Sequence, residues 1–275
     1  MGAIVWLASY PKSGNTWMRA FLHNLLRDPP APIPINQLTQ FTIGDTLKGW
    51  YENVAGHKVD GLSGEEQARL RPLVHRAFTK AFPDSVFVKT HMMLGEAHGA
   101  PLITMDVTAG AIYIVRDPRD VAISAASHFG TDIDGAITLM NDPQAGAAED
   151  ADNMPQYYGT WSHHVESWTA ERHQALHVVR YEDMLQKPVP TFTKVARFLG
   201  FQPPPERVRR AIEFSSFREL KRQEETGGFH ERSVNAAAFF RVGAAGQWRR
   251  ELTAEQARRL VQAHGPVMRK FGYKF

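Results

Sequence analysis

Four basic side chains in this sequence have types and positions that suit the handling of an anion. Lys12, Lys89, His91 and Arg116 each stand at or just after the end of a short apolar run. Such runs, alternating with helical patterns, predict an α/β protein whose parallel sheet carries helices on both faces. The ligand crevice of such a sheet lies at the carboxyl ends of the strands, so we expect all four residues to face one ligand.

The first apolar run leads into the most informative turn. Residues 4–8 predict a buried strand, Pro11 and Gly14 interrupt it, and from Trp17 onward the apolar positions recur with a helical period. A strand that enters a helix through a tight turn aims unpaired backbone N–H groups at one point, where phosphate or sulfate binds. Lys12 adds a full positive charge there. The other polar residues of the turn that we assign to anion binding are Ser13, Asn15 and Thr16.

The turn differs from the common P-loop, in which lysine follows the second glycine. Here Lys12 precedes Gly14, the only glycine of the turn, and because the loop is short, the Ser/Thr that would hold magnesium next to the lysine is not in its usual place. Residues 10–17 instead resemble the 5′-phosphosulfate loop of sulfotransferases that use 3′-phosphoadenosine 5′-phosphosulfate (PAPS). An ATP-dependent P-loop kinase is the alternative enzyme, and a non-catalytic nucleotide-binding protein is the alternative outside enzymes.

A histidine beside this site can serve as a general base, since its ordinary pKa of about 6.5 lies near working pH. His91 by itself could equally be a packed or surface residue, because the chain has 12 histidines. Residues 89–91, however, resemble the Lys-x-His segment of cytosolic sulfotransferases, whose histidine is the catalytic base. The resemblance implies that His91 deprotonates the acceptor, Lys89 orients the sulfuryl group and Lys12 stabilises the leaving oxygen.

A second stretch resembles the 3′-phosphate site of the same family. Arg116 is followed eight residues later by Ser124, and the resemblance implies that both hold the 3′-phosphate. An arginine presents a bidentate fork, and a serine two helical turns further on can lie on the same side. The alternative is an ordinary helix cap with a solvated arginine.

Residues 240–248 resemble the C-terminal phosphate segment of the family. The resemblance implies that Arg241 and the backbone of Gly243 close on the 3′-phosphate. Val242 stands where lysine is usual and Gln247 where aspartate is usual, so one phosphate contact is in doubt.

Aromatic residues complete the implied nucleotide site. By the same resemblance Trp17 and Phe217 stack on adenine, Tyr181 approaches the base and Ser215 forms a hydrogen bond near it. For the aromatic residues the alternative is plain core packing.

Composition sets the remaining expectations. The chain has 275 residues, a net charge of +3 and no cysteine. The charge suits a small anion without calling for nucleic acid, and the lack of cysteine agrees with a reducing cytoplasm. The N-terminal apolar run is too short for a signal peptide or a membrane span. We therefore expect a cytoplasmic protein without a membrane span.

The resemblance extends from Trp6 to Trp248 and includes bacterial members of the family. It implies one sulfotransferase domain over residues 1–275, with a P-loop-like fold, PAPS as co-substrate, PAP as product and no metal. The acceptor would be a small hydroxyl compound such as a phenol, an alcohol or a glycoside. The family's dimer pattern is kept only at Thr253, so the oligomeric state stays open.

The least patterned segments should form the acceptor wall. Residues 35–62 predict a long loop with short helical pieces, and residues 130–156 a flexible surface insertion. Residues 226–246 are rich in glycine with little apolar surface, and we expect a mobile lid. Together with residues 92–105 they should surround the acceptor.

Overall fold

A parallel sheet of five strands organises the computed structural model, which describes residues 2–275. The order of the strands in the sheet is β2-β3-β1-β6-β9, and every neighbouring pair is parallel. Two short antiparallel pairs, β4-β5 and β7-β8, lie outside it. The strands are β1 (Ile4–Ser9), β2 (Thr42–Gly44), β3 (Val86–Thr90), β4 (Glu96–Ala97), β5 (Ala100–Pro101), β6 (Thr108–Val115), β7 (Gly146–Ala147), β8 (Gln156–Tyr157) and β9 (Leu176–Arg180).

Helices connect the strands and cover both faces of the sheet. In the residues described, the α-helices are α1 (Asn15–Arg27), α2 (Leu38–Phe41), α3 (Lys48–Ala55), α4 (Gly64–Ala81), α5 (Pro118–Phe129), α6 (Ile133–Asn141), α7 (Trp161–Thr169), α8 (Tyr181–Gln186), α9 (Pro188–Phe198), α10 (Pro205–Phe214), α11 (Phe217–Gly227), α12 (Trp248–Glu251) and α13 (Ala254–Lys270). None of these helices combines the length and the apolar character needed to cross a membrane.

The alternation of side chains along β1 explains the two layers. Trp6 and Ala8 pack into a core shared with α4, α5, α7 and α13, whereas Leu7 packs into a second core with α1, α9 and α10. Successive side chains of a strand point to opposite faces, so a strand that is apolar throughout must be covered on both. The prediction of a parallel sheet flanked by helices on both faces is confirmed.

The local capping signals agree with the helices they precede. Ser63 and Glu66 form a reciprocal capping box at the start of α4. Asp117 caps α5, whose first residue is Pro118. These two helix starts are where the sequence places them.

Residues 35–62 are more ordered than a loop with helical pieces, and this prediction was incomplete. They contain β2, which pairs with β3 through Thr42, Ile43 and Gly44. A strand of three residues carries no measurable period, and its pairing partner lies more than 40 residues away in the chain. β2, one of the five strands of the sheet, therefore forms only because of a tertiary contact with β3.

The prediction of a flexible insertion at 130–156 was wrong. The segment contains α6, whose Ala136, Ile137 and Met140 are buried against the rest of the core. Aspartates stand at both ends of this helix: the side chain of Asp132, the N-cap, accepts a hydrogen bond from the backbone N–H of Gly135 at 2.7 Å, and Asp142 is the C-cap. The polar composition thus marked a helix start rather than disorder.

Residues 228–247 contain no helix or strand, whereas residues 226–227 of the expected 226–246 loop belong to α11. The premise that this segment lacks an apolar anchor was wrong. Phe229 and Phe240 are buried and pack against Leu220. The Glu224 carboxylate also accepts hydrogen bonds from the backbone N–H groups of Phe239 at 2.7 Å and of Phe240 at 2.8 Å. Aromatic side chains and a buried carboxylate therefore hold this segment, which we call the lid segment.

Candidate active site

A cavity of about 1300 Å³ opens where β1, β3 and β6 end. It is larger than the space that one small ligand usually fills, roughly 300–1,000 Å³, so it has room for a nucleotide and an acceptor. Most of the predicted site residues meet there. Those that line it are Lys12, Gly14, Asn15, Thr16, Trp17, Lys89, His91, Arg116, Ser124, Tyr181, Phe217, Arg241 and Gly243.

The turn after β1 has a backbone that suits close approach of an anion. Lys12 has φ +66° and Gly14 has φ +109°, both in the left-handed region. A Cβ atom at position 14 would lie 2.7 Å from the Tyr181 ring, so only glycine fits there. No side chain caps α1, which leaves its first N–H groups available to a phosphate or sulfate group.

Lys12 sits among other cations, although its own side chain contacts an aromatic ring. Its Nζ lies 4.0 Å from the ring centroid of Phe239. Burial, and then the charges of Lys89, Arg116 and Arg241, lower its pKa to about 7. Four cations from distant parts of the sequence therefore act on one space, which favours a polyanionic ligand.

Arg116 joins the turn to the C-terminal segment. Its guanidinium is buried, donates to the carbonyl oxygen of Lys12 at 3.0 Å and to that of Ala244 at 3.3 Å, and lies 4.3 Å from the ring centroid of Tyr181. Ser124, two turns along α5, lines the same cavity. The alternative of a solvated arginine is therefore excluded.

Asp120 holds the C-terminal segment against α5. Its carboxylate accepts hydrogen bonds from the backbone N–H groups of Gly246 at 2.6 Å and of Trp248 at 3.0 Å. Arg241 donates to the carbonyl oxygen of Ile123 at 3.1 Å. The sequence reading did not identify Asp120, since a carboxylate in a phosphate-binding segment carries no local signal of this role.

Aromatic rings form the wall beside these cations. The rings of Trp17 and Tyr181 meet edge to face with centroids 5.7 Å apart. A Cβ atom at Gly243, whose φ is +64°, would lie 2.2 Å from the Phe217 ring, so the backbone passes directly over that ring. Both predicted adenine-stacking residues, Trp17 and Phe217, line the cavity.

Two predicted site residues do not reach the cavity. The hydroxyl of Ser13 is buried without a partner, and that of Ser215 donates to the carbonyl oxygen of Ala211 at 2.7 Å. Asn15 does line the cavity, but its amide nitrogen donates to the carbonyl oxygen of Leu7 at 2.8 Å and so ties the turn to β1. A ligand contact by Ser13 or Ser215 would need a change of conformation.

His91 is held in one tautomer. Its Nδ1 lies 2.8 Å from the carbonyl oxygen of Ser9, and because a carbonyl only accepts, Nδ1 carries the proton. Nε2 is then the unprotonated nitrogen. Burial, followed by the charge of Lys89, lowers the pKa of His91 well below its ordinary value, so the ring is neutral at pH 7. A neutral imidazole with a free lone pair is suited to accept a proton.

His164 contacts the His91 backbone, and the sequence did not indicate this contact. Its Nε2 donates to the carbonyl oxygen of His91 at 3.0 Å, and its Nδ1 accepts from the Tyr113 hydroxyl at 2.8 Å. Burial lowers the pKa of His164 to about 4. The contact joins residues 73 positions apart in the chain, so no local pattern of the sequence indicates it.

A second histidine also faces the cavity. His128 lines it, and burial, followed by the charges of Lys12 and Lys89, lowers its pKa to about 3. It stands as the alternative base if His91 has only a structural role.

The remaining cavity wall differs in part from expectation. Residues 35–62, 130–156 and 226–240 all contribute to it, but no residue of 92–105 does, so that part of the prediction was wrong. Asp45, which follows β2, also lines the cavity and accepts a hydrogen bond from Thr90 at 2.5 Å. Burial raises the pKa of Asp45 to about 6. The sequence did not indicate Asp45 as a site residue, because β2, the strand that it follows, was not predicted.

The sequence model of the sulfotransferase domain family matches residues 4–272. The chain belongs to the sulfotransferase family. Among its relatives, a 3-alpha-hydroxysteroid sulfotransferase of Cavia porcellus is 25% identical over 90% of this chain and 78% of its own. Sulfotransferase 1A1 of Canis lupus familiaris is 24% identical over 98% of this chain and 84% of its own. The prediction that this protein is a sulfotransferase is thus confirmed.

Solved structures of two proteins share the fold. A retinol dehydratase in complex with androsterone and the inactive cofactor PAP has a TM-score of 0.66 at 20% identity, covering 99% of this sulfotransferase and 82% of that chain. A mouse sulfotransferase complexed with PAP has a TM-score of 0.62 at 20% identity. The match covers 97% of this chain and 85% of the mouse chain. These likenesses show that the chain has the sulfotransferase fold.

Proposed function

We propose that this single-domain sulfotransferase moves the sulfuryl group of PAPS to a hydroxyl of a small-molecule acceptor by direct in-line transfer, with His91 as general base. The observation that carries the proposal is one cavity lined by His91, Lys12 and Lys89, in which the Nδ1 bond of His91 to Ser9 leaves Nε2 unprotonated. The PAP complexes of proteins that share the fold support the choice of nucleotide.

The residues of the cationic half fit such a nucleotide. Arg116, Ser124 and Arg241 would hold the 3′-phosphate, and Trp17 and Phe217 would enclose the adenine. The Nε atom of Arg116 is buried without a hydrogen-bond partner, which supports a bound anion, because buried polar groups are rarely left unpaired. Lys12 and the N-terminus of α1 would hold the 5′-phosphosulfate.

Each step of the transfer has a residue that can assist it. His91 Nε2 takes the acceptor proton as the new oxygen–sulfur bond forms. The bond from sulfur to the phosphate oxygen breaks, and Lys12 stabilises the charge on that leaving oxygen. Lys89 orients the oxygens of the sulfuryl group while that group passes from the leaving oxygen to the acceptor oxygen. Proton, sulfuryl group and leaving group are all accounted for without a metal.

A hydroxyl acceptor agrees with the names of the relatives, which include a 3-alpha-hydroxysteroid sulfotransferase. Phenols, alcohols and glycosides are the classes to screen. We also propose a cytoplasmic location, which the absence of cysteine supports.

A screen of PAPS with phenols, alcohols and glycosides, read by mass spectrometry, tests the proposal directly. We expect at least one product that gains a single sulfuryl group, with release of PAP. Calorimetry with PAP and with ATP accompanies it. Binding of PAP without any transfer would indicate a non-catalytic nucleotide-binding protein, and preference for ATP with phosphoryl transfer would indicate a kinase.

Nucleotide choice should depend on the 3′-phosphate. Arg116 and Arg241 both face the proposed 3′-phosphate position, and losing one charge-assisted hydrogen bond weakens binding by roughly 1.5–3 kcal/mol. We therefore expect adenosine 5′-phosphosulfate to bind at least tenfold more weakly than PAPS. Competition against PAP measures this. Equal affinity would refute the 3′-phosphate assignment.

Binding of PAP should take up a proton above pH 7. The pKa of Lys12 is lowered to about 7 in the free protein, so its charge is lost as the pH rises through 7, whereas the phosphates of PAP favour the charged form. The affinity for PAP should therefore fall as the pH rises above 7. Calorimetry at pH 8 in two buffers of different ionisation enthalpy measures the uptake, and Lys12→Ala should abolish it. Identical heats in both buffers would contradict the prediction.

A further inference from the structure

Glu231 brings a negative charge into a cavity otherwise rich in cations. It belongs to the lid segment and lines the cavity. Its Oε2 lies 3.2 Å from the Lys89 ammonium, and its two carboxylate oxygens each lie 2.8 Å from a terminal nitrogen of Arg19. The lid segment therefore contacts a residue that we place at the reaction centre.

Arg19 provides the fixed side of this arrangement. It is 1% exposed, its Nε donates to the Thr42 hydroxyl at 2.6 Å, and its two remaining nitrogens hold Glu231 in a bidentate fork. This geometry is more rigid than a single ion pair. The carboxylate is thus aimed at Lys89 by α1, β2 and the lid segment together.

A carboxylate at this position is unfavourable for binding a polyanion. It reduces the positive potential near Lys89, although it also neutralises the buried Arg19. Phe229, Phe240 and the Glu224 carboxylate give the lid segment further anchors. Pairing with Arg19 does not by itself require a contact with Lys89, and that contact is explained if it directs the Lys89 ammonium.

We propose that Glu231 is a positioning residue, which directs the Lys89 ammonium toward the transferring sulfuryl group and completes the reaction centre only when the lid segment covers the cavity. This inference rests on the function proposed above. Lys89 is the group that acts on the substrate, and Glu231 acts through it. Lid closure and catalytic competence are thereby linked through one ion pair.

The variant Glu231→Gln tests the proposal, because it keeps the shape and removes the charge. We expect kcat to fall by about 10- to 100-fold, as small misplacements of catalytic groups do. The affinity for PAP should stay the same or become tighter, since a negative charge leaves the anion site. Glu225→Gln is the matched control: Glu225 is exposed, pairs with Lys221 and does not line the cavity.

A cycle with Lys89 separates positioning from a structural role. In a Lys89→Met background, Glu231→Gln should cause no further loss of kcat. The inference is overturned if Glu231→Gln keeps wild-type kcat. It is also overturned if kcat, PAP affinity and the thermal unfolding midpoint fall together, or if the charge change lowers kcat equally without Lys89.

In Glu231→Gln the buried charge of Arg19 loses its charged partner, which is a risk for folding, because a buried ion without a partner is strongly destabilising. The variant Glu231→Asp avoids this risk. Its shorter side chain keeps a carboxylate near Arg19 but moves that carboxylate away from Lys89. We expect this variant to fold with the same loss of kcat and unchanged PAP affinity, and wild-type kcat in it would also overturn the inference. If the wild-type protein neither binds PAP nor transfers sulfuryl, the proposed function fails instead.

Discussion

Turnover should fall by roughly 10²–10⁴ when His91 is replaced by alanine, while the affinity for PAP stays nearly unchanged. Nδ1 of His91 donates to the carbonyl oxygen of Ser9, which leaves Nε2 unprotonated, so in the proposed mechanism the ring would act on the acceptor and not on the nucleotide. Initial rates with PAPS and a working acceptor, together with calorimetry of PAP, measure the two effects separately.

The choice of acceptor provides an internal control for His91. An acidic phenol is already partly ionised and needs a base less, so it should lose less rate in His91→Ala than an alkyl alcohol does. The low pKa of His91 also predicts that the wild-type rate does not fall as the pH decreases from 7 to 6, because the ring stays neutral there. Near-normal turnover of His91→Ala with every acceptor would make His91 structural, and His128 would then be the next base to replace.

Replacing Lys12 by alanine should damage both binding and turnover. The residue lies among three other cations at the N-terminus of α1, where it would hold the 5′-phosphosulfate and stabilise the leaving oxygen. Loss of one such electrostatic group lowers kcat by about 10²–10³. We also expect PAP to bind at least tenfold more weakly, since a charge-assisted contact contributes roughly 1.5–3 kcal/mol.

Lys58→Ala is the matched control for Lys12. Lys58 is exposed, pairs with Glu52 and does not line the cavity. Neither kcat nor the affinity for PAP should therefore change in Lys58→Ala. Removing Lys12 should also stabilise rather than unfold the protein at neutral pH, because it relieves repulsion among buried cations. Lys12→Ala with wild-type turnover would mean that the turn binds no phosphosulfate group.

The elements that the sequence predicts well are those whose signals are local. The apolar run of β1, the tight turn around Gly14 and the helical period from Trp17 all come from neighbouring residues. The capping box at Ser63 is equally local. The chain therefore carries the central strand, the tight turn and the starts of α4 and α5 in short stretches that need no knowledge of the rest.

Elements held by distant partners escaped prediction. β2 has only three residues and exists because β3 offers it an edge. The lid segment looked loose because its glycines are visible in the sequence, whereas its anchoring to Leu220 and to the Glu224 carboxylate is not. Local composition indicates whether a segment can be ordered by itself, whereas tertiary contacts decide whether it is ordered in the folded protein.

The site shows the same division. The sequence by itself determined the chemistry available, with Lys12, Lys89, His91 and Arg116 at the ends of strands. Only the tertiary structure decided which atoms face the cavity: it left Ser215 bonded to its own helix and brought Asp45, Asp120 and Glu231 to the cavity wall. It also placed His164 against the backbone of His91, outside that wall. These four residues act through single contacts between residues remote in the chain, which leave no period or spacing for a sequence to display.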